Sequence, residues 1–377
     1  MKIVIAADSF KGCLTSREVA QHMEIGIHRH DESIEVQKFL VGDGGEGTMD
    51  AFVDASHGMY VEVRAHDAYR KWIKTRYGLI DEGRTAIIEV GSVIGLSMVE
   101  KDRRAPMYAS SYGVGEMLLH AKKRGCKKII LALGGSSTND GGMGLLEALG
   151  VKFYDEENHL LQGMAYNLEK IDTIDFSGMK NFEGIECIAA CDVKNHLLGE
   201  NGATHIFGKQ KGLYPNQIKR VERGMKHYCE KMKQYDIDLD VYEGGGAAGG
   251  IGAVFIALLQ ARMQSGIALL FAYNQMEEVI ANCDLVITGE GQSDRQTLFG
   301  KVPVGVLNIA NKYDKPCICI SGALGLEYNK LYDLGFVGIF SIADRAMSFA
   351  QALASADDKL EACTYSVIKT ITYFMNR

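Results

Sequence analysis

Short apolar segments that end abruptly in polar, glycine-rich loops recur along this chain. Each segment has the length of a buried strand, and the loops are rich in Gly, Asp, Glu, Ser, Thr and Asn. In open parallel sheets, ligands bind just beyond the carboxyl ends of the strands, where glycine lets backbone N–H groups approach an anion. The sequence therefore predicts an α/β protein with a polar ligand site. The segments and their loops are 2–7 and 8–12, 36–41 and 42–48, 128–133 and 134–142, 186–190 and 191–195, and 284–288 and 289–294.

Two patterns of predicted secondary structure divide the chain into two regions. Residues 1–55 and 280–377 alternate strand and helix, which is typical of a Rossmann-like parallel-sheet domain made of both chain ends. Residues 56–279 contain shorter, more alternating strands and small turns, which favour an inserted, mixed-sheet α/β domain. A length of 377 residues agrees with two domains. We expect an α/β fold of two unlike α/β domains, with the active site in the cleft between them.

Local signals place several individual elements. Thr15 and Glu18 have the spacing of a capping box, which predicts that a helix follows. Pro303 is placed to start another helix. Residues 155–183 are polar and predicted to be irregular, whereas 253–263 predicts one long apolar helix.

Composition excludes several classes of protein. A net charge of −7 and a pI near 5.8 argue against a nucleic-acid partner. Nine cysteines occur without a CxxC pair, which favours a reduced, cytoplasmic protein. The first predicted strand begins at Lys2, leaving no room for a signal peptide, and no apolar run is long enough to cross a membrane. We therefore expect no membrane partner, and assembly into a homodimer stays open.

The loop after the first strand combines groups suited to phosphoryl transfer. Transfer to an alcohol requires a base for the hydroxyl proton and cations that offset phosphate charge. Asp8 and Asp192 are both candidates for the base, and Lys11 for a cation that faces a carboxylate or a phosphate. The alternative for Asp8 and Ser9 is a simple turn or helix cap.

Two further loop types indicate a metal ion and phosphate groups. Asp43 and Glu46 lie within a GxGxxG loop, and Glu290 and Asp294 would share one face of a helix that began there; all four could hold Mg²⁺. The alternatives are a plain tight turn and an acidic first helical turn. Small residues in two other loops offer backbone N–H groups to phosphates, although the second could be a closely packed helix start. These residues are Gly134, Gly135, Ser136, Ser137, Thr138 and Asn139, and Gly245, Gly246 and Gly249.

Taken together, these motifs resemble the bacterial glycerate kinase family of the type I, two-domain kind, over essentially the whole chain. That resemblance implies ATP-dependent phosphorylation of D-glycerate to 2- or 3-phosphoglycerate, with Mg²⁺. The matching stretches are ADSFKGCLTS at 7–16, VGDGGEGT at 41–48, EVGSVIGLSMV at 89–99, SSYGVGEML at 110–118, LGGSSTNDGGMGLLEALG at 133–150, CDVKNHLLGENGATHIFGKQKG at 191–212, GGGAAGGIGA at 244–253 and ITGEGQSDRQTLFGKVPVGV at 287–306.

Residue roles are assigned on chemical grounds. We expect Asp192 to be the base, with Asp8 the second candidate, and we expect Ser9, Lys11 and Arg295 to bind the glycerate carboxylate. A kinase for another small hydroxy acid and a non-catalytic sensor of nucleotide or sugar acid remain alternatives. A dinucleotide-dependent oxidoreductase is a third option, which requires an acidic residue about 20 positions after a GxGxxG within a βαβ unit. Neither match gives that context, and Gly244 follows no clear strand.

Overall fold

The computed structural model describes residues 1–10, 12–42, 45, 47–299 and 301–375. The strands are β1 (Lys2–Ile5), β2 (Glu35–Lys38), β3 (Met59–His66), β4 (Trp72–Ile80), β5 (Thr85–Glu89), β6 (Lys128–Ala132), β7 (Lys152–Tyr154), β8 (Leu160–Leu161), β9 (Thr173–Asp175), β10 (Glu186–Ala190), β11 (Arg262–Gln264), β12 (Leu285–Thr288), β13 (Gln292–Ser293), β14 (Cys317–Ser321), β15 (Ala323–Leu324) and β16 (Gly338–Ser341).

The α-helices are numbered in the same way. They are α1 (Ser16–His28), α2 (Thr48–Ala55), α3 (Gly91–Ile94), α4 (Tyr112–Lys123), α5 (Met143–Ala148), α6 (Ala203–Lys211), α7 (Pro215–Lys233), α8 (Ile251–Leu259), α9 (Gly266–Tyr273), α10 (Met276–Ala281), α11 (Val302–Lys312), α12 (Phe349–Ala354) and α13 (Ala356–Met375). Within the described ranges, none of the helices combines the length and apolar character needed to cross a bilayer.

The first unit comprises Met1–Asp43 and Ile267–Arg377. Its main sheet is wholly parallel, in the order β2-β1-β12-β14-β16. The chain therefore winds in one direction from β1 to β2 and in the other from β1 to β12. In doubly wound sheets, the point at which this order reverses is where ligands bind. The parallel sheet built from both chain ends is confirmed.

Apolar side chains of β1, α1 and α13 form the core of this unit. Ile3 and Ile5 belong to the same buried cluster as Met23 of α1 and Leu360 of α13. Helix α1 begins at the predicted capping box, in which the Thr15 side chain accepts from the Glu18 backbone N–H. The cap satisfies N–H groups that the first helical turn leaves without partners.

The second unit is Gly44–Gly266, inserted between the two segments of the first. Its large sheet has the order β11-β10-β6-β5-β4-β3, in which the first four strands run parallel, β4 pairs antiparallel with β5, and β3 pairs antiparallel with β4. The predicted mixed sheet is therefore confirmed. A separate buried cluster, which includes Leu131 of β6 and Tyr228 of α7, fills this unit.

The division between the units differs from the sequence boundaries at residues 55/56 and 279/280. Helix α2 belongs to the second unit because it packs on β4 and β5, and Asp50 pairs with Arg76 of β4 at 3.0 Å. Helices α9 and α10 belong to the first unit, where the α10 residue Glu277 accepts a hydrogen bond from the Tyr313 hydroxyl at the end of α11.

Two predictions for local structure are wrong. Residues 155–183 are not irregular throughout, since β8 and β9 pair antiparallel with β7 in a small three-stranded sheet. The helix predicted over 253–263 ends at Leu259, where Gln260 adopts a left-handed conformation with φ 54°. Beyond it, β11 adds a parallel strand beside β10. Both elements are short and depend on their partner strands, which a local apolar pattern does not reveal.

Candidate active site

The loops after β1 and β12 meet at the reversal point of the first sheet. The Asp8 backbone N–H donates to the Gly289 carbonyl at 2.9 Å, and the Thr288 hydroxyl donates to the Ala6 carbonyl at 2.7 Å. These bonds fix the two strand ends side by side. The loops after β1 and β12 line one cavity of about 460 Å³, together with residues from the ends of β14 and β16 and from α12.

Polar and apolar side chains both line this cavity. Asp8 is 5% exposed, and its Oδ1 accepts the Ser9 backbone N–H at 2.7 Å. The apolar part of the lining comes from Phe10, Cys13, Ile342, Met347, Phe349 and Leu353. The predicted residues Asp8, Ser9, Glu290 and Asp294 thus lie at the same cavity.

Glu290 is held in a hydrogen-bonded network at the cavity wall. Its Oε1 accepts from the Ser293 hydroxyl at 3.1 Å and the Thr297 hydroxyl at 2.5 Å, while Oε2 lies 3.4 Å from Lys301 Nζ. Burial raises the pKa of Glu290, and the lysine and the two hydroxyl groups oppose that rise. The network holds a buried carboxylate beside a cation, and Lys301 was missed as a site residue because its partner is eleven positions away in sequence.

The helix that would have aligned Glu290 with Asp294 does not form. Gln292–Ser293 is the short strand β13, paired with β15, so the expectation of one shared helical face is wrong. Asp294 instead accepts from the Gln296 backbone N–H at 2.8 Å in a local turn. Arg295 has a side chain 70% exposed, with its Nε 3.7 Å from Glu327, and it is not among the residues that line the cavity.

Three predicted site residues, Lys11, Asp43 and Glu46, lie outside the described residues. In the part of the chain that is described, one group of three acid, His or Cys side chains gathers within 4.8 Å, namely Asp155, Glu157 and His159. These lie in a turn before β8, distant in sequence from the strand-end loops.

In the second unit, the glycine-rich loop after β6 is fastened to the segment after β5. The Ser137 backbone N–H and hydroxyl both donate to the Ile94 carbonyl at 2.9 Å, and the Leu96 N–H donates to the Gly135 carbonyl at 2.7 Å. Asp140, which is fully buried, closes the loop by accepting from the backbone N–H and hydroxyl of Ser111, at 2.7 and 2.8 Å. These hydrogen bonds therefore hold the backbone of the glycine-rich loop in one conformation.

The second predicted glycine-rich segment packs directly against this loop. The Gly141 N–H donates to the Gly249 carbonyl at 2.9 Å, and a Cβ on Gly249 would lie 2.2 Å from the Thr138 carbonyl oxygen. Gly249 also has φ 69°, a left-handed conformation that glycine adopts without strain. The structure thus brings the two predicted phosphate-binding segments together, and only glycine fits at their contact.

Asp192 follows β10, the neighbour of β6 in the parallel part of the sheet. The Leu133 N–H donates to the Ala190 carbonyl at 3.1 Å, so the ends of the two strands are level. Asp192 is half-buried. Three residues further on, the Asn195 carbonyl accepts from the Gly246 N–H at 2.9 Å. Asp192 therefore shares a sheet edge with the glycine-rich loop.

Sequence reasoning missed one charged residue of this region. Lys211 is 4% exposed, and its Nζ donates to the Ser136 hydroxyl at 2.9 Å and the Thr138 carbonyl at 2.7 Å. Burial lowers the pKa of Lys211 to about 7, against the opposing effect of Asp140. The available signal was its place in the matched stretch at 191–212. Its burial was not expected, because a lysine near a helix C-terminus is commonly exposed.

Strand-end loops that combine glycine, carboxylates and lysine are typical of α/β proteins that bind anionic ligands. A family model described as "Glycerate kinase family" matches residues 3–372. A glycerate kinase from Bacillus cereus is 39% identical, covering 96% of this chain and 95% of its own length. The Escherichia coli K12 protein named glycerate 2-kinase is 37% identical, covering 100% of this chain and 99% of its own.

The fold agrees with this relationship. The crystal structure of a Salmonella typhimurium LT2 protein, provisionally assigned as glycerate kinase 2, matches with a TM-score of 0.83 and 36% identity, covering all of both chains. The chain belongs to the glycerate kinase family. It is therefore a phosphotransferase with an alcohol group as acceptor.

Proposed function

We propose that this protein transfers the γ-phosphoryl group of ATP to a hydroxyl of D-glycerate, with Mg²⁺, and releases ADP and 2-phosphoglycerate. The observation that carries the proposal is full-length similarity to proteins named glycerate kinase, with the matched motifs at strand ends. The name glycerate 2-kinase of the Escherichia coli relative favours the 2-position over the 3-position. The expected place of reaction is the cytoplasm, where ATP is available.

Each reacting group has a candidate residue. Asp192 accepts the proton of the glycerate hydroxyl while the oxygen of that hydroxyl attacks the γ-phosphorus of ATP. The bond from this phosphorus to the ADP oxygen breaks. Asp8 is the second candidate for the base. Ser9 and Lys11 bind the glycerate carboxylate, while the backbone of 134–139 and of 245–249 receives the nucleotide phosphates.

The carboxylates suit a hard cation. Mg²⁺ in kinases is commonly held by one or two carboxylates together with the substrate phosphates and waters, so a cage of protein ligands is not required. Asp294 and Glu290 line the cavity of the first unit, and Glu290 would act through water because its oxygens already accept from neighbours. Asp43 and Glu46 complete the proposed set. Bound Mg²⁺ would offset the phosphate charge.

The primary test is a product assay. ADP release should depend on both Mg²⁺-ATP and D-glycerate, and NMR of the product should show 2-phosphoglycerate alone. Formation of 3-phosphoglycerate would refute the regiochemistry. Turnover with another hydroxy acid but not with D-glycerate would refute the substrate, and folded protein that binds ATP without any turnover would favour a sensor.

The Asp192→Asn variant tests the base. Loss of a general base should lower kcat about 100-fold or more, with the KM values for ATP and glycerate little changed. Asp8→Asn is measured beside it, because the larger loss of kcat identifies the base. Asp102→Asn, in the exposed turn at 101–103, is the matched control. Near-normal turnover by Asp192→Asn excludes Asp192 as the base.

A further inference from the structure

Lys211 is a buried lysine that has no role in the proposed reaction. It is the last residue of α6, at a helix C-terminus, yet it is 4% exposed. Desolvation of an ammonium group is costly unless hydrogen bonds compensate for it. The nearby Lys209, on the same helix, is exposed. The buried position of Lys211 therefore calls for a specific contact.

That contact is with the middle of the glycine-rich loop. Nζ of Lys211 joins two groups two residues apart, the Ser136 hydroxyl at 2.9 Å and the Thr138 carbonyl at 2.7 Å. A second tie to α6 comes from Asn139, whose Nδ2 donates to the Thr204 hydroxyl at 3.0 Å. The loop is thus held from one side by α6.

These ties leave backbone donors of the loop without partners. Lys211 occupies the Thr138 carbonyl oxygen, whereas the backbone N–H groups of Gly135, Thr138 and Asn139 have no acceptor among the residues that the structure describes. Of these three residues Gly135 is exposed, while Thr138 and Asn139 are fully buried. An unpaired backbone N–H at an exposed turn favours an anion. Fixing such donors before the ligand arrives strengthens binding, because less order must be created on binding.

We propose that Lys211 is a positioning residue for the nucleotide phosphates, which holds the Ser136 hydroxyl and the Thr138 carbonyl so that the backbone N–H of the exposed Gly135 faces the phosphate oxygens. The inference rests on the proposed role of this loop in the kinase reaction. It assigns to α6 the task of shaping the nucleotide site, without contact between Lys211 and the ligand.

Lys211→Met tests the proposal, because methionine keeps an unbranched side chain but donates no hydrogen bond. Calorimetry with Mg²⁺-ADP should show a Kd raised about tenfold, because a loop that Lys211 no longer holds must be ordered when the nucleotide binds. The KM for ATP should rise in parallel while the KM for glycerate stays unchanged. Lys209→Met, which removes an exposed lysine from the same helix, should behave as wild type.

Any other result refutes either the positioning role of Lys211 or the proposed substrate. An unchanged Kd for Mg²⁺-ADP in folded Lys211→Met, or an equal rise in both KM values, refutes the positioning role. If that variant does not fold, Ser136→Ala removes one acceptor of the same lysine and should give a smaller rise in Kd; no rise refutes the proposal. If wild type binds Mg²⁺-ADP but does not phosphorylate glycerate, the proposed substrate is refuted. The Kd of Lys211→Met for Mg²⁺-ADP then still decides whether Lys211 has the positioning role. Wild type that does not bind Mg²⁺-ADP refutes the inference itself.

Discussion

At the scale of single residues, the candidate sites depend on charged groups that burial alone would disfavour. Burial raises the pKa of Glu290 and of Asp140 and lowers the pKa of Lys211 to about 7. Each group is held by hydrogen bonds: Glu290 accepts from the Ser293 hydroxyl, Asp140 accepts from the Ser111 backbone N–H, and Lys211 donates to the Thr138 carbonyl. Perturbed groups of this kind cluster at functional sites, which agrees with the place of Glu290 and Asp140 in strand-end loops and of Lys211 against one of these loops.

The shifted pKa of Lys211 predicts a pH dependence of stability. Between pH about 7 and the ordinary lysine pKa of about 10.4, the unfolded chain keeps a proton that the folded protein has released. The contribution of Lys211 to the free energy of unfolding therefore rises with pH in this window, and below it the buried charge carries its full cost. Urea unfolding at pH about 7 and about 9 should show wild type gaining stability relative to Lys211→Met. A difference independent of pH would contradict the prediction.

At the scale of elements, the positions of strands determine which loops meet. The loops after β1 and β12 are about 280 residues apart in sequence, yet β1 pairs with β12 from Ile3↔Leu285 to Ile5↔Ile287. The contact is close, because a Cβ on Gly289 would lie 1.9 Å from the Ile320 carbonyl oxygen of β14. Glycine at this point lets three strand ends converge on the cavity.

Gly289→Ala should therefore destabilise the protein. The added methyl group cannot be accommodated without moving β12 or β14, and we expect a loss of about 3 kcal/mol in the free energy of unfolding, measured in urea. Gly91→Ala is the control, since its Cβ would find its nearest neighbour, the Gly134 carbonyl oxygen, at 3.5 Å. Equal effects of the two substitutions would show that the convergence of β12 and β14 is not the cause.

At the scale of the whole molecule, each unit contains its own hydrophobic core. One hydrophobic cluster uses side chains between Val61 and Met263, and another uses those between Met1 and Val36 and between Leu285 and Ile371. Units with separate cores can fold separately. The insertion between residues 43/44 and 266/267 therefore joins two structural units in one chain.

Gly44–Gly266 should accordingly fold as an isolated protein. We expect a cooperative thermal transition and binding of Mg²⁺-ADP, because the core and the glycine-rich loop are contained in it, but no phosphorylation of glycerate. Circular dichroism and calorimetry measure these properties, with the full chain as the reference. A broad, non-cooperative transition would show that the unit requires the rest of the chain.

Much of the architecture was predictable because its signals are local. Continuous apolar runs identified β1, β6, β10, β12 and β14, and Thr15 with Glu18 identified the start of α1. The edge strand β11 and the small β8-β7-β9 sheet were missed, since strands of two or three residues carry no period of their own. Asp8, Glu290 and the loop at 134–139 could be predicted as site residues because glycine and acids at strand ends form a local pattern, and their roles stay a prediction.

The sequence by itself determined the class of fold, the family and the polar loops, because these depend on residue types at short spacing. Only the tertiary structure decided which loops are neighbours, which carboxylate meets Lys301, and that Lys211 is buried beneath Ser136 and Thr138. Strand order and the burial of charge arise from packing between segments far apart in the chain. A local pattern contains no record of those partners.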